Sequence, residues 1–469
     1  MLTSYDAYPY LSLPYFESSP DRLRLVAHLF GLPAAPVERC RVLEVGCGSG
    51  GNLIPIAEQH PESRFLGIDL APTQIAEGQA TIAALGLGNI ELRHADLGAL
   101  PPDTGVFDYV IAHGVYSWVP PEVSAKLLDL FARHLAPGGV AYMSHDCKPG
   151  WYARRQTREI MLWHAGGFSD PQERVSQARA FLEFVVRTAR TEVPALREVM
   201  IAELGHVRAL PDWALRHSYL ADHAHAPYFH ELHHELRQRG LAYLGDADLP
   251  TMVPARFPPE VQSSLADLRG RDLVRYEGLL DLLRGRAFRM TLMCREGLEL
   301  DRTIHRGKLP GLHLFAQLSE EVDGTFDTPR GDSLRPEREA TREALRRLMR
   351  AWPSSVPYQA LGDDLDESGA AADLAQLLAT GLVRAQLTPS ACGPPGERPR
   401  AAAHARLDAT RAATVTNLRH ESVGLTPEAR QLLALLDGSR DRAALEREVG
   451  ALDVDATLAA LAVKGLLLA

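Results

Sequence analysis

Apolar positions in the first third of the chain come in short runs separated by longer amphipathic stretches. Arg41-Val-Leu-Glu-Val45 and Arg64-Phe-Leu-Gly-Ile-Asp69 read as strands, as do residues 90–96, 107–113 and 140–144. Between them lie helical stretches, one opening at Asn52 and one over 71–85 that Gly86 and Gly88 close. Strands alternating with helices at this spacing predict an open parallel sheet, with ligands at the carboxyl ends of its strands. An amphipathic helix is predicted over 20–30, and a long helical block from Trp151 to about Leu215. A helix over 228–239, a strand near 240–245, a proline-rich loop, two more helices and an alternating strand over 286–294 follow. These two late strands are expected to be the sixth and seventh, completing an α/β, Rossmann-like sheet of seven.

The same pattern divides the chain into an aromatic amino-terminal segment (1–35), a ligand-binding core (36–150), a helical insertion (151–216) and a segment completing the sheet (217–296). The aromatics and prolines of 1–35 are read as a flap over the ligand, since aromatic side chains exclude water at low entropic cost. The insertion is expected above the strand ends, where substrate selection or dimer contacts would lie. Two helical, winged-helix-like modules are expected over 330–387 and 404–469. Each ends in a related run, Leu-Leu-Ala-Thr-Gly-Leu-Val383 and Leu-Ala-Val-Lys-Gly-Leu-Leu467.

Composition narrows the function classes. A net charge of −10 and a pI near 6.0 argue against broad binding of nucleic acid or acidic membrane. The five cysteines are scattered without C-x-x-C pairs, which suits a reducing cytoplasmic setting. No run of 18 apolar residues suggests membrane insertion.

The chemistry concentrates after the first strand, in Glu44-Val-Gly-Cys-Gly-Ser-Gly-Gly-Asn52. Glycines there let a ligand approach the backbone, and the helix that follows points its amino terminus at it. Gly46, Gly48 and Gly51 also satisfy the G-x-G-x-x-G spacing of nicotinamide cofactors. Asp69, at the end of the second strand, is placed to accept both ribose hydroxyl protons, and Asp96, at the end of the third, to meet an adenine amino group.

The ordered set Glu44-x-Gly46-x-Gly48-x-Gly50, Asp69, Ala95-Asp96, Phe107-Asp108 and Pro137-Gly-Gly139 resembles the class I S-adenosylmethionine-dependent methyltransferases. Tyr5-Asp-x-x-Pro-Tyr10, His113-Gly-Val-Tyr-Ser-Trp-Val-Pro120, Pro149-Gly-Trp151, Tyr228-Phe-His-Glu231, Phe288-Arg-x-Thr-Leu-x-Cys-Arg295 and Thr416-Asn-Leu-Arg-His-Glu421 are more specific. They resemble the bacterial methyltransferases that carry a methyltransferase regulatory domain, including the rickettsial outer-membrane-protein lysine methyltransferases. The resemblance implies S-adenosyl-L-methionine as donor, S-adenosyl-L-homocysteine as product, a protein or peptide amine as acceptor, and an architecture compatible with a homodimer. It implies a donor site formed by Tyr5, Glu44, Gly46, Gly48, Gly50, Asn52, Asp69, Leu70, Asp96, Leu97 and His113. Asp146 and Trp151 are expected on the acceptor side, in a Ser144-His-Asp-Cys-Lys-Pro-Gly-Trp151 segment where the family is expected to carry Ser-Tyr-Asn-Thr. Asp146 in place of an amide adds negative charge that favours a cationic or amine substrate.

Methyl transfer from a sulfonium needs alignment and electron-rich walls more than strong acid-base catalysis. His113, Tyr116 and Trp118 follow the fourth strand and are the catalytic candidates, the aromatics through cation–π contact and His113 as proton relay. Other readings are a methyltransferase for a small natural product or biosynthetic peptide, and an idle donor-binding scaffold. His230-Glu-Leu-His-His234 matches H-E-x-x-H, yet no third ligand follows at a zinc-protease spacing, so no metal is expected.

Overall fold

The computed structural model describes residues 10–189 and 193–469. Seven strands, β1 (Arg41–Val45), β2 (Arg64–Asp69), β3 (Ile90–His94), β4 (Phe107–Ala112), β5 (Leu135–Asp146), β6 (Leu241–Asp246) and β7 (Phe288–Arg295), build one sheet. Their order is β3-β2-β1-β4-β5-β7-β6, and β7 runs antiparallel to both of its neighbours. The order reverses between β1 and β4, which opens a ligand crevice at their carboxyl ends. β5 starts earlier than its apolar run suggests: Pro137-Gly-Gly139 lies inside the strand, beside a register shift between Phe107 and Tyr109.

Successive side chains of a strand point to opposite faces, and here both faces are covered. Val42, Tyr109, Ile111 and Val140 pack under one layer of helices; Leu43, Val45, Val110 and Met143 pack under the other. The second layer includes helix Pro121–His134 through Leu127 and Phe131.

β6 and β7 are fastened by paired buried charge. Arg289 is fully buried and donates to Asp281 and Glu277 of helix Leu273–Arg284, while Arg286 donates to Asp246 of β6 at 2.6 Å. Buried ions are tolerated only when paired this way.

Helices Trp151–Ala165, Pro171–Thr188, Pro194–Ala209 and Asp212–Ser218 form the insertion around their own core of Met161, Leu182, Leu204 and Val207. Downstream, strands His313–Phe315, Val356–Pro357 and Arg384–Gln386 pair into a small sheet against helices Glu339–Ala351 and Ala370–Ala379. Leu314, Leu345 and Leu374 of this unit belong to the same core as Val42 and Tyr109, so it is continuous with the main sheet's packing. The last unit has its own core, with Leu432, Leu458 and Leu461 on helices Pro427–Leu435 and Val454–Val463. No helix among the described residues is long and apolar enough to cross a membrane.

Candidate active site at the strand ends

The glycine loop after β1 is shaped by two close approaches. Gly46 has φ 74°, and a Cβ there would sit 2.6 Å from the Val115 side chain. At Gly51 a Cβ would sit 2.3 Å from the Ser12 carbonyl oxygen, because residues 10–15 cross directly over the loop. Gly51 N–H donates to Ser12 Oγ at 2.8 Å, tying that strap down.

Beneath the strap lies a cavity of about 430 Å³, bordered by Glu44, Gly46, Gly48, Asn52, Asp69, Leu70, Asp96, Leu97, His113 and Trp118. Ten of the residues expected around the donor and the methyl group therefore meet in one place. Asp69 receives Gly48 N–H at 2.8 Å and Ala71 N–H at 2.9 Å, so the loop and the next helix fix its carboxylate. Asp96 receives Gly98 N–H at 2.7 Å. Glu44 Oε1 accepts from Asn52 Nδ2 at 2.8 Å, while its buried Oε2 has no partner among the described residues. Burial pushes the Glu44 carboxyl up to about 8, opposed by the Asn52 hydrogen bond. An unpaired, buried acid at the edge of a cavity suits a cationic group, and an adenosyl donor with a sulfonium and an ammonium carries two.

Tyr5 lies outside the described residues. Other expectations are corrected. Gly50 does not border the cavity; with φ 79° it packs so tightly that a Cβ would meet Leu92 at 2.9 Å. His113 does border it, stacked on Tyr15 at 3.5 Å and 2.9 Å from the Tyr142 hydroxyl. Burial pushes its imidazole down to about 3, so it stays neutral and serves as a flat wall, not a proton relay. Tyr116 is buried against Leu127 and Leu128, with its hydroxyl 3.5 Å from His225, and does not reach the cavity.

A second cavity of about 440 Å³ adjoins the first, and Val119, Asp222 and His223 border both. Trp151 and Tyr152 line it, and Trp151 meets Trp118 edge-on with ring centres 5.9 Å apart. Asp146 borders neither cavity: it is buried at the end of β5, 3.9 Å from Arg154, and burial raises its carboxyl to about 7. Glu231 receives the Tyr228 N–H at 2.7 Å and sits 3.5 Å from Lys148, while His234 contacts Gln238. The H-E-x-x-H run is thus a helix start with a capping carboxylate.

Ser12, Gln74, Arg174 and Asp222 also border the donor cavity without being singled out in the sequence. Gly51 was the available signal for Ser12, since a further glycine after the loop marks a backbone crossing. Arg174 comes from the insertion and Asp222 from the segment after it, and neither carries a local signature.

The chain is similar to known families over three of its segments. The family described as "Methyltransferase domain" matches residues 42–139, "Predicted methyltransferase regulatory domain" matches 211–295, and "PKMT, C-terminal winged helix domain" matches 397–462. Uncharacterized protein RP789 of Rickettsia prowazekii is 38% identical over 68% of this chain and 57% of its own length. RP028 of the same organism is 34% identical over 49% of this chain and 91% of its own length. The chain thus spans little more than half of the first of these relatives. PKMT2 from Rickettsia typhi, solved alone and in complex with AdoHcy, superposes with TM-scores of 0.88 and 0.87 at 25% and 24% identity. Each superposition covers 98% of this chain and 100% of that one.

Proposed function

The chain belongs to the S-adenosylmethionine-dependent methyltransferases built with a methyltransferase regulatory domain and a carboxyl-terminal winged helix, and we propose that it methylates a lysine side-chain amine of a protein or peptide. The observation that carries this reading is the pair of adjoining cavities with Trp118 and Trp151 at their junction. A long, thin side chain entering from the second cavity reaches the first past two aromatic faces and the Asp222 carboxylate. Those are the groups that attract a cationic amine and orient it. The likeness to PKMT2 over nearly the whole chain supports a protein acceptor.

The donor, when bound, supplies an electrophilic methyl carbon on a positively charged sulfur. Glu44, Asp69 and Asp96 would hold its cationic, ribose and adenine parts in turn. His113, neutral and stacked on Tyr15, walls the cavity without competing for the amine's proton. Trp118, at the edge of the cavity against Trp151, would narrow the approach of the acceptor, and such displacements depend on alignment. The acceptor ammonium must pass its proton to solvent water before the neutral amine can attack.

The test is transfer of tritiated methyl from S-adenosylmethionine into a cell lysate, followed by size separation and acid hydrolysis. Label should appear in protein as methylated lysine. Label confined to small molecules overturns the acceptor assignment. Trp118→Ala should bind S-adenosylhomocysteine as the unmutated protein does yet lose at least tenfold in turnover. Full turnover would remove Trp118 from the path.

A further inference from the structure

We propose that His420, in the carboxyl-terminal unit, is a positioning residue for donor binding: it orients Asn52 so that Asn52 presents Glu44 to the donor. His420 lies in the Thr416-Asn-Leu-Arg-His-Glu421 motif, at the tip of the hairpin formed by Thr414–Thr416 and Ser422–Gly424. Its Nε2 stands 2.6 Å from Asn52 Oδ1, across 368 positions of sequence.

Two features show that this contact is built. Among the described residues, His420 is the one non-glycine residue with a positive φ, 62°, a conformation that costs energy and persists only when neighbours impose it. The neighbours are on hand: Asn417 Oδ1 accepts the N–H groups of Arg419 and Glu421, and Asn417 Nδ2 donates to Glu421. Arg419 lies over the Trp352 ring and donates to the Pro353 carbonyl oxygen.

The contact also has direction. Asn52 Nδ2 donates to the Glu44 carboxylate, so its Oδ1 is the end facing His420, and it receives Tyr15 N–H as well. His420 Nε2 must therefore carry the hydrogen. With that donor in place the Asn52 amide cannot turn over without setting its NH2 group against two donors, His420 Nε2–H and Tyr15 N–H. Asn52 thus joins the strap, the first strand and the carboxyl-terminal unit at the base of the donor cavity. A second grip lies at the far end of the helix Leu53–Gln59, where Glu58 accepts from Ala403 N–H, His404 N–H and His404 Nδ1. The unit therefore holds both ends of the helix that follows the glycine loop.

The proposal rests on the donor site alone and is independent of the acceptor. His420→Asn keeps a residue that tolerates the left-handed backbone but is too short to reach Asn52; His420→Gln restores the reach with an amide donor. Affinity for S-adenosylhomocysteine by calorimetry should fall about tenfold in His420→Asn and recover to within about threefold in His420→Gln. Melting temperatures of the two donor-free variants should lie close together. Equal affinity of His420→Asn and the unmutated protein, or equal loss in both variants, overturns the proposal. Imidazole nitrogen NMR of the unmutated protein gives a readout that does not depend on any variant folding. The His420 resonances should report an Nε2–H form and move on adding product; unmoved resonances refute the coupling.

Discussion

Glu44 sets the chemistry of the donor cavity at the scale of a single residue. Its carboxyl titrates near 8 because burial disfavours the anion, against an ordinary value near 4.5. The donor-free protein therefore holds a proton that the unfolded chain releases. Stability contributed by this group declines as pH rises from about 4.5 to about 8 and is flat above. A cation placed beside the unpaired oxygen favours the carboxylate, so binding expels the proton. Donor affinity should climb with pH up to about 8 and then level off. Calorimetry in buffers of different ionisation heats should find close to one proton released per S-adenosylhomocysteine bound at pH 7. In Glu44→Gln that release and the slope should vanish, along with most of the affinity. An unchanged proton count in the variant would take Glu44 out of the donor's electrostatics. His113 teaches the complementary lesson: a histidine at a strand end reads as a proton carrier until its burial is known, and burial keeps this imidazole neutral.

At the scale of elements, the helix Leu53–Gln59 is held at both ends by the carboxyl-terminal unit. Glu58, at its end, is held down to about 2 by the hydrogen bonds and charge of His404, which outweigh its partial burial. Its stabilisation is present above the ordinary carboxyl range and is lost as pH falls from about 4.5 toward 2. Glu58→Ala leaves the Ala403 and His404 N–H groups uncapped and should cost about 1–3 kcal/mol. A lowered melting temperature at pH 7, shrinking below pH 4, is the expected result; a melting point insensitive to the substitution would show the grip to be idle. Most elements in this region were legible beforehand. The strands and their glycine loop follow from short apolar runs, and the sixth and seventh strands from alternation beside β5. The start of β5 was not, because Pro137-Gly-Gly139 reads as a turn, and only the pairing of Leu135 with Phe107, across a register shift, carries the strand back beyond it. Asp146 was misplaced for a similar reason: it reads as lying beyond a strand that ends at Ser144, whereas it is the last residue of β5, buried and paired with Phe288 of β7.

At the scale of the molecule, what escaped the sequence is contact between distant segments. The strap over Gly51, the insertion's Arg174 at the cavity edge with Asp222 of the segment after it, and His420 on Asn52 each join residues far apart in the chain. None leaves a periodicity to read. Those contacts make the donor cavity a meeting point of three parts of the chain, and a ligand that tightens one should tighten the others, since coupling between sites is reciprocal. Hydrogen exchange tests this directly. The amides of Leu418, His420 and Glu421 are bonded to Gly465 O, Asn417 O and Asn417 Oδ1, and they exchange only when the hairpin tip opens. Opening it parts His420 from Asn52, so bound S-adenosylhomocysteine should slow these amides several-fold along with those of 44–52. Helix Arg442–Val449, in the same unit but away from the contact, should keep its rate. Protection confined to the glycine loop would mean that the carboxyl-terminal unit merely leans on the donor domain, whereas protection reaching the hairpin tip and stopping there would identify His420 as the point through which the two communicate.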